Sequence, residues 1–292
     1  MRYGLGAEPL REATLDPAQS GTIIHLVMEE ILKKYPQATF IDTPDDELRE
    51  AVSSVLKAYL EEKMGGVEEK SERFMKLFYR LIDISMSVIE RLKVEFGVGE
   101  FAPCDFELRI GGSDIPAYEL PLDEGRVRVT GSIDRVDLME MDGEKYIRVV
   151  DYKTGKKDFD YCDIFNGVGL QMLLYLFTLG EKGRAYFGRE IVPTGVLYHP
   201  ARSEILRMER NTEDEKIAAA LRKSVARTGL VLGEPEVLQA MEHSALEKPA
   251  FLPISVNKDG NISAWWTKED EDKFNAKAQV LVDQYDKIIV LD

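Results

Sequence analysis

Three stretches within fifty residues decide the reading of this chain: GSIDRVD at 131–137, IRVVDYKTGKK at 147–157 and GLQMLLYLF at 169–177. In RVRVTGSID, Val127, Val129 and Ile133 alternate with Arg128, Thr130, Ser132 and Asp134, a period of two that predicts a strand over 126–138. Asp142-Gly143 is a tight hairpin signal. In KYIRVVDYK, which follows it, Ile147, Val149, Asp151 and Lys153 share a face. Thr154-Gly155 closes that strand. A helix is expected from about Asn166 to Leu179, with Gln171 and Tyr175 four apart on one side of it. Asp134, Asp151 and Lys153 are thereby delivered to strand ends, where two carboxylates and an ammonium suit a divalent cation beside a phosphate.

Upstream, Ser20 reads as an N-cap for TIIHLVMEEILKKY, with Ile23, Ile24, Val27, Met28, Ile31 and Leu32 as the apolar stripe and His25 in its first turns. Two more helical patterns, DDELREAVSSVLKAYLEEK and SERFMKLFYRLIDISMSVIERLKVEF, are parted by Met64-Gly65-Gly66. CDFELRI and TGVLYHP read as further strands. EDEKIAAALRKSVARTG and the tail read as helical, with Thr267 and Asp270 opening a last helix over roughly 268–289. The expected α/β order is a helical lobe (about 20–97), a sheet core with a crossover helix (about 100–200) and a helical tail (about 210–292).

Composition narrows the class. The chain has 292 residues, 44% hydrophobic and 31% charged, enough for a sizeable core. The opening MRYGLGAEPLREA lacks an apolar signal region, and the most apolar run, Val168 to Leu179, is too short to cross a bilayer. No membrane association and a reducing cytoplasm are therefore expected. Cys104 and Cys162, with no CxxC, support neither a disulfide framework nor a zinc site. P-loop, GxSxG, HExxH and dinucleotide-binding patterns are missing. Net charge is −15 with pI about 4.8, unfavourable for a free-standing DNA binder. Arg126 to Lys157 nevertheless carries eight basic residues against six acidic ones, which suggests a small basic groove on an acidic body.

Phosphodiester hydrolysis needs charge stabilisation, a deprotonated water and an aligned leaving oxygen, much of which magnesium or manganese provides. Hard oxygen donors suit those ions, so Asp134 and Asp151 are candidate ligands, although strand-end aspartates are commonly turn residues. Asp151 interrupts an apolar face, where an unpaired carboxylate is costly. Lys153 can orient the attacking water or stabilise developing charge, or can simply pair with Asp151. Gln171, polar in an apolar helix, needs a partner if buried. Tyr175 can stack on a base or pack in the core. Glu107 in FELRI is a candidate accessory acid or an exposed strand residue. Arg135 and Lys156 are candidate DNA contacts within the basic segment. His25, taken by position alone, is no more than an ordinary helix histidine.

GSIDRVD, VVDYKTGKK, GLQMLLY and GTIIHLVMEEIL in this order resemble the PD-(D/E)xK nuclease superfamily, specifically its RecB-like branch. RYGLGAEPLREATLDPAQSGTIIH, GVLYHPAR and TGLVLGEPEVLQAM extend the likeness to the C-terminal nuclease region of AddB (RexB) subunits of bacterial helicase–nuclease complexes. The resemblance implies a restriction-endonuclease-like mixed sheet flanked by helices. It implies metal ligation by His25, Asp134, Asp151 and the backbone carbonyl of Tyr152, with magnesium as cofactor and manganese able to replace it. Lys153 is then the catalytic lysine, and Gln171 and Tyr175 complete the site against DNA. The implied role is exonucleolytic processing of double-strand breaks for recombinational repair, with an AddA-type helicase partner delivering a single strand. Such subunits hold a four-cysteine iron–sulfur cluster. Neither Cys104 nor Cys162 stands at a ligand position, so this chain is read as a fragment of a larger subunit, with a cluster-free homologue as the alternative. Two alternatives are a stand-alone RecB-like nuclease of phage or CRISPR-adaptation type, and an inactive nuclease fold serving as a DNA-binding or assembly scaffold.

Overall fold

The computed structural model describes residues 17–66, 70–122, 125–157, 164, 167–202, 212–217, 220, 226–247, 249–252, 254–256, 262–263 and 265–266. Helix α1 (Pro17–Lys34) starts three residues before Ser20, which therefore lies inside its first turn instead of capping it. Proline suits that place, since it fixes φ and lacks an N–H that the first turn would leave unbonded. The stripe Ile23, Ile24, Val27, Met28, Ile31 and Leu32 is buried throughout. After the short α2 (Gln37–Phe40), α3 (Asp45–Met64) ends at Gly65 with φ 71°, a left-handed cap that glycine adopts without a Cβ penalty. Helix α4 (Glu72–Gly97) is capped by Ser71, whose hydroxyl accepts from the Phe74 N–H. The buried faces of α1, α3 and α4 share one hydrophobic cluster, which the sheet enters with Tyr152 and Ala201.

The sheet is built from β1 (Ala102–Ile110), β4 (Gly131–Met141), β5 (Glu144–Lys153), β6 (Ile191–Pro200), β7 (Thr228–Leu232) and the two-residue β10 (Trp265–Trp266), in that spatial order. The β1–β4, β4–β5 and β6–β7 pairs are antiparallel, and β5–β6 and β7–β10 are parallel. The parallel β5–β6 pair requires a crossover, which helix α5 (Gln171–Lys182) and the short α6 (Arg184–Phe187) supply. Leu173, Leu176 and Leu179 of α5 and Val237, Leu238 and Met241 of α7 (Pro235–Met241) pack into the sheet's own core. Two small hairpin sheets, β2 (Tyr118–Leu122) with β3 (Gly125–Val129) and β8 (Ser255–Val256) with β9 (Ile262–Ser263), stand apart. No described helix is long and apolar enough to cross a membrane.

Three expectations are corrected. The single strand over 126–138 is two strands interrupted at Thr130, because β3 pairs back onto β2 while β4 joins the main sheet. The crossover helix begins at Gln171, since Gly167 and Gly169 adopt φ of 79° and 74°, outside the helical region. The region beyond 210 is not uniformly helical. TGLVL forms β7, a short apolar run of the length and composition of a buried strand, and β8 to β10 follow. The last helix expected over 268–289, with its Thr267 and Asp270 signature, lies outside the described residues, as do Cys162 and the RYGL segment.

Lobe and sheet meet around a buried set of charges. Glu95 of α4 receives hydrogen bonds from Arg135 (3.3 Å) and Arg148 (2.5 Å), and from Arg227. Asp137 receives bonds from Arg135 and Arg148, both at 2.9 Å. Burial alone would raise the Glu95 pKa; the three guanidiniums, Arg227 foremost, overcome it and hold the group at about 2. A carboxyl depressed in this way contributes stability that is present above the ordinary value of 4.5 and lost as pH falls towards about 2. Glu95→Gln leaves three buried arginines with too little counter-charge. We expect a loss of about 3–5 kcal/mol in urea unfolding at neutral pH. The part of the acid-induced stability loss between pH 4.5 and 2 that belongs to this group should be missing from the variant.

Candidate metal centre

The site is assembled by strand register. The β4–β5 hairpin turns on two residues, Asp142 (φ 52°) and Gly143 (φ 82°), both left-handed as a two-residue hairpin turn of this type requires. From that turn the ladder runs to Arg135 opposite Val150, so the next pair in register is Asp134 and Asp151. On the other edge of β4, Phe106 pairs with Arg135 and Leu108 with Ile133, which sets Glu107 opposite Asp134. Glu107, Asp134 and Asp151 thus form one row across three adjacent strands, and Lys153 shares the Asp151 face by alternation.

Helix α1 closes this row from the lobe. His25 Nδ1 lies 3.4 Å from Asp134 Oδ2, and its Nε2 lies 2.6 Å from the Tyr152 carbonyl oxygen. Asp134 Oδ2 also accepts the Tyr152 backbone N–H at 2.9 Å. Donor atoms of His25, Glu107 and Asp134 all lie within 4.8 Å of one another, a spacing that could hold a metal ion. Glu107 is braced by the Ser132 hydroxyl at 2.9 Å and has φ 49°, a left-handed conformation unusual for a non-glycine strand residue. Desolvation pushes Asp134 up to about 6, with Asp151 and Glu107 adding repulsion while His25 and the Tyr152 N–H oppose it. Lys153 Nζ donates to Asp151 Oδ1 at 2.8 Å. It forms an ion pair with Oδ2 at 2.8 Å as well, and this buried oxygen accepts no hydrogen bond among the described residues. A buried carboxylate oxygen with unused acceptor capacity, beside an imidazole and two further carboxylates, fits a hard divalent cation.

The remaining predicted site residues divide. Gln171 Nε2 donates to the Tyr175 hydroxyl at 3.1 Å, so the partner of this polar helix residue is its own i+4 neighbour. Tyr175 is only 2% exposed, its ring lies in the sheet core, and a Cβ at Gly131 would collide with its hydroxyl. It packs there instead of stacking on a base. Arg135 is fully buried and engaged by Glu95, Asp137 and the Tyr152 hydroxyl, which removes it from any DNA surface. Lys156 is exposed just past β5. The expected basic groove shrinks accordingly. Arg135 and Arg148 are consumed in the interior, and Arg126 and Arg128 pair with Glu119. Glu107 is the residue that sequence reasoning underweights, because its place opposite Asp134 depends on a pairing that its own strand pattern does not reveal. Glu95 carries a legible sign: a charged residue on the apolar side of α4, one helical turn beyond Leu92.

Comparison with known proteins identifies the family. The sequence profile of the PD-(D/E)XK nuclease superfamily matches residues 1–289. Among curated proteins, the chain is similar to the B subunits of an ATP-dependent helicase/deoxyribonuclease. That of Acetivibrio thermocellus is 30% identical over 266 residues, covering 90% of this chain and 23% of the relative. That of Clostridium acetobutylicum is 30% identical over 278 residues (93% and 24%), and that of Clostridium novyi 31% over 270 residues (90% and 24%). The chain therefore spans just under a quarter of the length of these relatives. With a row of carboxylates across adjacent strands, an Asp-x-Lys at a strand end and a profile match over nearly its whole length, the chain belongs to the PD-(D/E)XK nuclease superfamily.

Proposed function

We propose that this chain is the nuclease module of a helicase–nuclease complex: a divalent-metal-dependent deoxyribonuclease that hydrolyses a single strand delivered by a helicase partner. The observation that carries this reading is the convergence of His25, Glu107 and Asp134 within 4.8 Å, with the Asp151–Lys153 pair next in the row. Cleavage from a strand end, a bacterial cytoplasmic setting and a part in double-strand break processing and recombinational repair complete the proposal. These follow the resemblance; the names of the similar subunits support a deoxyribonuclease with a helicase, and the acidic body favours delivery of the strand by a partner over independent capture.

His25, Glu107, Asp134, Asp151 and the Tyr152 carbonyl would hold the cation, magnesium or manganese by the hardness of the donors. A bound divalent cation supplies Lewis-acid stabilisation of the charge developing on the phosphate. Asp134 and Asp151 hold the negative charge that draws the cation in, and the His25 contact to the Tyr152 carbonyl keeps α1 against the strand end. Lys153 has over a third of its side chain exposed, so its ammonium can leave Asp151 and donate to a phosphate oxygen or to the attacking water. Water adds to phosphorus as the bond to the leaving oxygen breaks, and the proton lost by that water passes to a neighbouring base or to solvent. Gln171 and Tyr175 brace the start of α5 beside β4.

Degradation of end-labelled single-stranded DNA with magnesium, beside Asp151→Ala and Lys153→Ala, tests the assignment. Each variant should lose about 10²–10³-fold or more in rate, and wild-type rates in both would refute the site. Chelation should silence the enzyme, with recovery on adding manganese. Internal cleavage of circular DNA at the rate of linear DNA would overturn the exonuclease mode.

The Asp134 carboxyl gives a second test. Its pKa is raised to about 6, so the stability that its proton contributes is full below about 4 and is lost as pH rises through about 6. A cation needs the deprotonated form and competes with that proton. The increase in Tm caused by manganese should therefore be larger near pH 7.5 than near pH 5, and Asp134→Asn should remove most of the increase at both. A metal-induced shift independent of pH would contradict this arrangement.

A further inference from the structure

Tyr152 lies between the two most highly charged parts of the molecule and touches both. Its backbone serves the candidate metal centre: the carbonyl faces His25 Nε2 at 2.6 Å and the N–H donates to Asp134 Oδ2 at 2.9 Å. Its side chain turns the other way, as strand alternation demands, and enters the lobe's hydrophobic cluster with 2% exposure. There its hydroxyl accepts a hydrogen bond from Arg135 Nη1 at 2.7 Å. Arg135 is itself held by two hydrogen bonds, from Nη2 to Asp137 (2.9 Å) and to Glu95 (3.3 Å). Its guanidinium carbon stands 5.6 Å from the centre of the Tyr152 ring.

The backbone around Tyr152 explains why such an anchor matters. On the β6 side the register continues through Tyr152 opposite His199 to Lys153 opposite Pro200. On the β4 side the ladder stops at Val150, and the next N–H, that of Tyr152, goes to the Asp134 carboxylate instead of a backbone carbonyl. On that flank neither backbone group of Tyr152 has a ladder partner: the N–H is bonded to Asp134 and the carbonyl faces His25. Besides the β6 ladder, the residue is held by its side chain, gripped at its far end by a guanidinium that cannot lose its proton.

We propose that Arg135 and the Tyr152 hydroxyl are positioning residues: the Glu95–Asp137–Arg135 cluster fixes the Tyr152 side chain and thereby aims its carbonyl oxygen, so that the affinity for a divalent cation is set by the buried charges between sheet and lobe. This rests on the metal-centre reading above and deepens it. Neither residue contacts substrate through its side chain. Their contribution is to hold one ligand oxygen still, as partners behind metal ligands commonly do.

The test is Mn²⁺ binding by isothermal titration calorimetry at about pH 7.5, on the full chain, for wild type, His25→Ala and Tyr152→Phe, with folding checked by circular dichroism. Tyr152→Phe keeps the ring and the backbone and deletes only the oxygen that Arg135 holds. Its Kd for Mn²⁺ should rise about tenfold or more, while nuclease activity should recover towards wild type at saturating Mn²⁺. An unchanged Kd in folded Tyr152→Phe, with His25→Ala weakened, overturns the positioning role and leaves the metal centre standing. Failure of the wild type to bind Mn²⁺ overturns both. Should Tyr152→Phe not fold, Arg135→Lys keeps the buried charge but loses the fork that spans Asp137, Glu95 and the phenol, and the same weakening is expected.

Discussion

The candidate centre depends on register. A two-residue turn at Asp142-Gly143 fixes the pairing of β4 with β5, and that pairing brings Asp134 level with Asp151 at the far end of the hairpin. Slipping the hairpin by one residue would move one aspartate to the opposite face of the sheet and abolish the row. The β1–β4 pairing then adds Glu107 to the same line. Three carboxyl groups side by side repel one another, and this crowding adds to the burial that pushes Asp134 up to about 6. Such an arrangement persists only because the surrounding sheet and helices over-determine it, which is the usual condition of strained functional sites.

The second organising element is charge inside the protein. Three arginines, from β4, from β5 and from just before β7, converge on one glutamate from α4. Charges taken out of water cost more than their attraction returns unless hydrogen bonding is nearly complete. Their advantage here is directional. An apolar contact between α4 and the sheet could slide, whereas three guanidiniums on Glu95, two of them held in place by Asp137, specify one docking of the lobe. Because His25 comes from that lobe and its partners Asp134 and Tyr152 from the sheet, docking and site assembly are one event.

Much of this is legible in the residues. The apolar stripe of α1, the Gly65 stop, the Asp-Gly hairpin and the same-face placement of Asp151 and Lys153 all follow from periods of 3.6 and 2 and from turn chemistry. Other features depend on pairings that a strand does not encode alone. Glu107 gains weight only when β1 is laid against β4. Arg135 reads as a surface cation in GSIDRVD, yet the face opposite the aspartates is covered by α4, whose Glu95 supplies the counter-charge. Tyr175 stands open between base stacking and packing until Gly131 is seen to leave the space that its hydroxyl fills. The strand β7 escapes the pattern because TGLVL follows a charged, alanine-rich segment whose helical propensity masks the change of period.

Glu107 has a consequence for how this protein could change. Its left-handed backbone is uphill for a residue bearing a Cβ, a steric penalty that glycine escapes at an entropic cost of its own. A screen that rewards thermal resistance alone would therefore drift toward losing this side chain, trading a carboxylate of the row for a relaxed chain. Under the proposed function, durability and cation binding pull against each other at that one position.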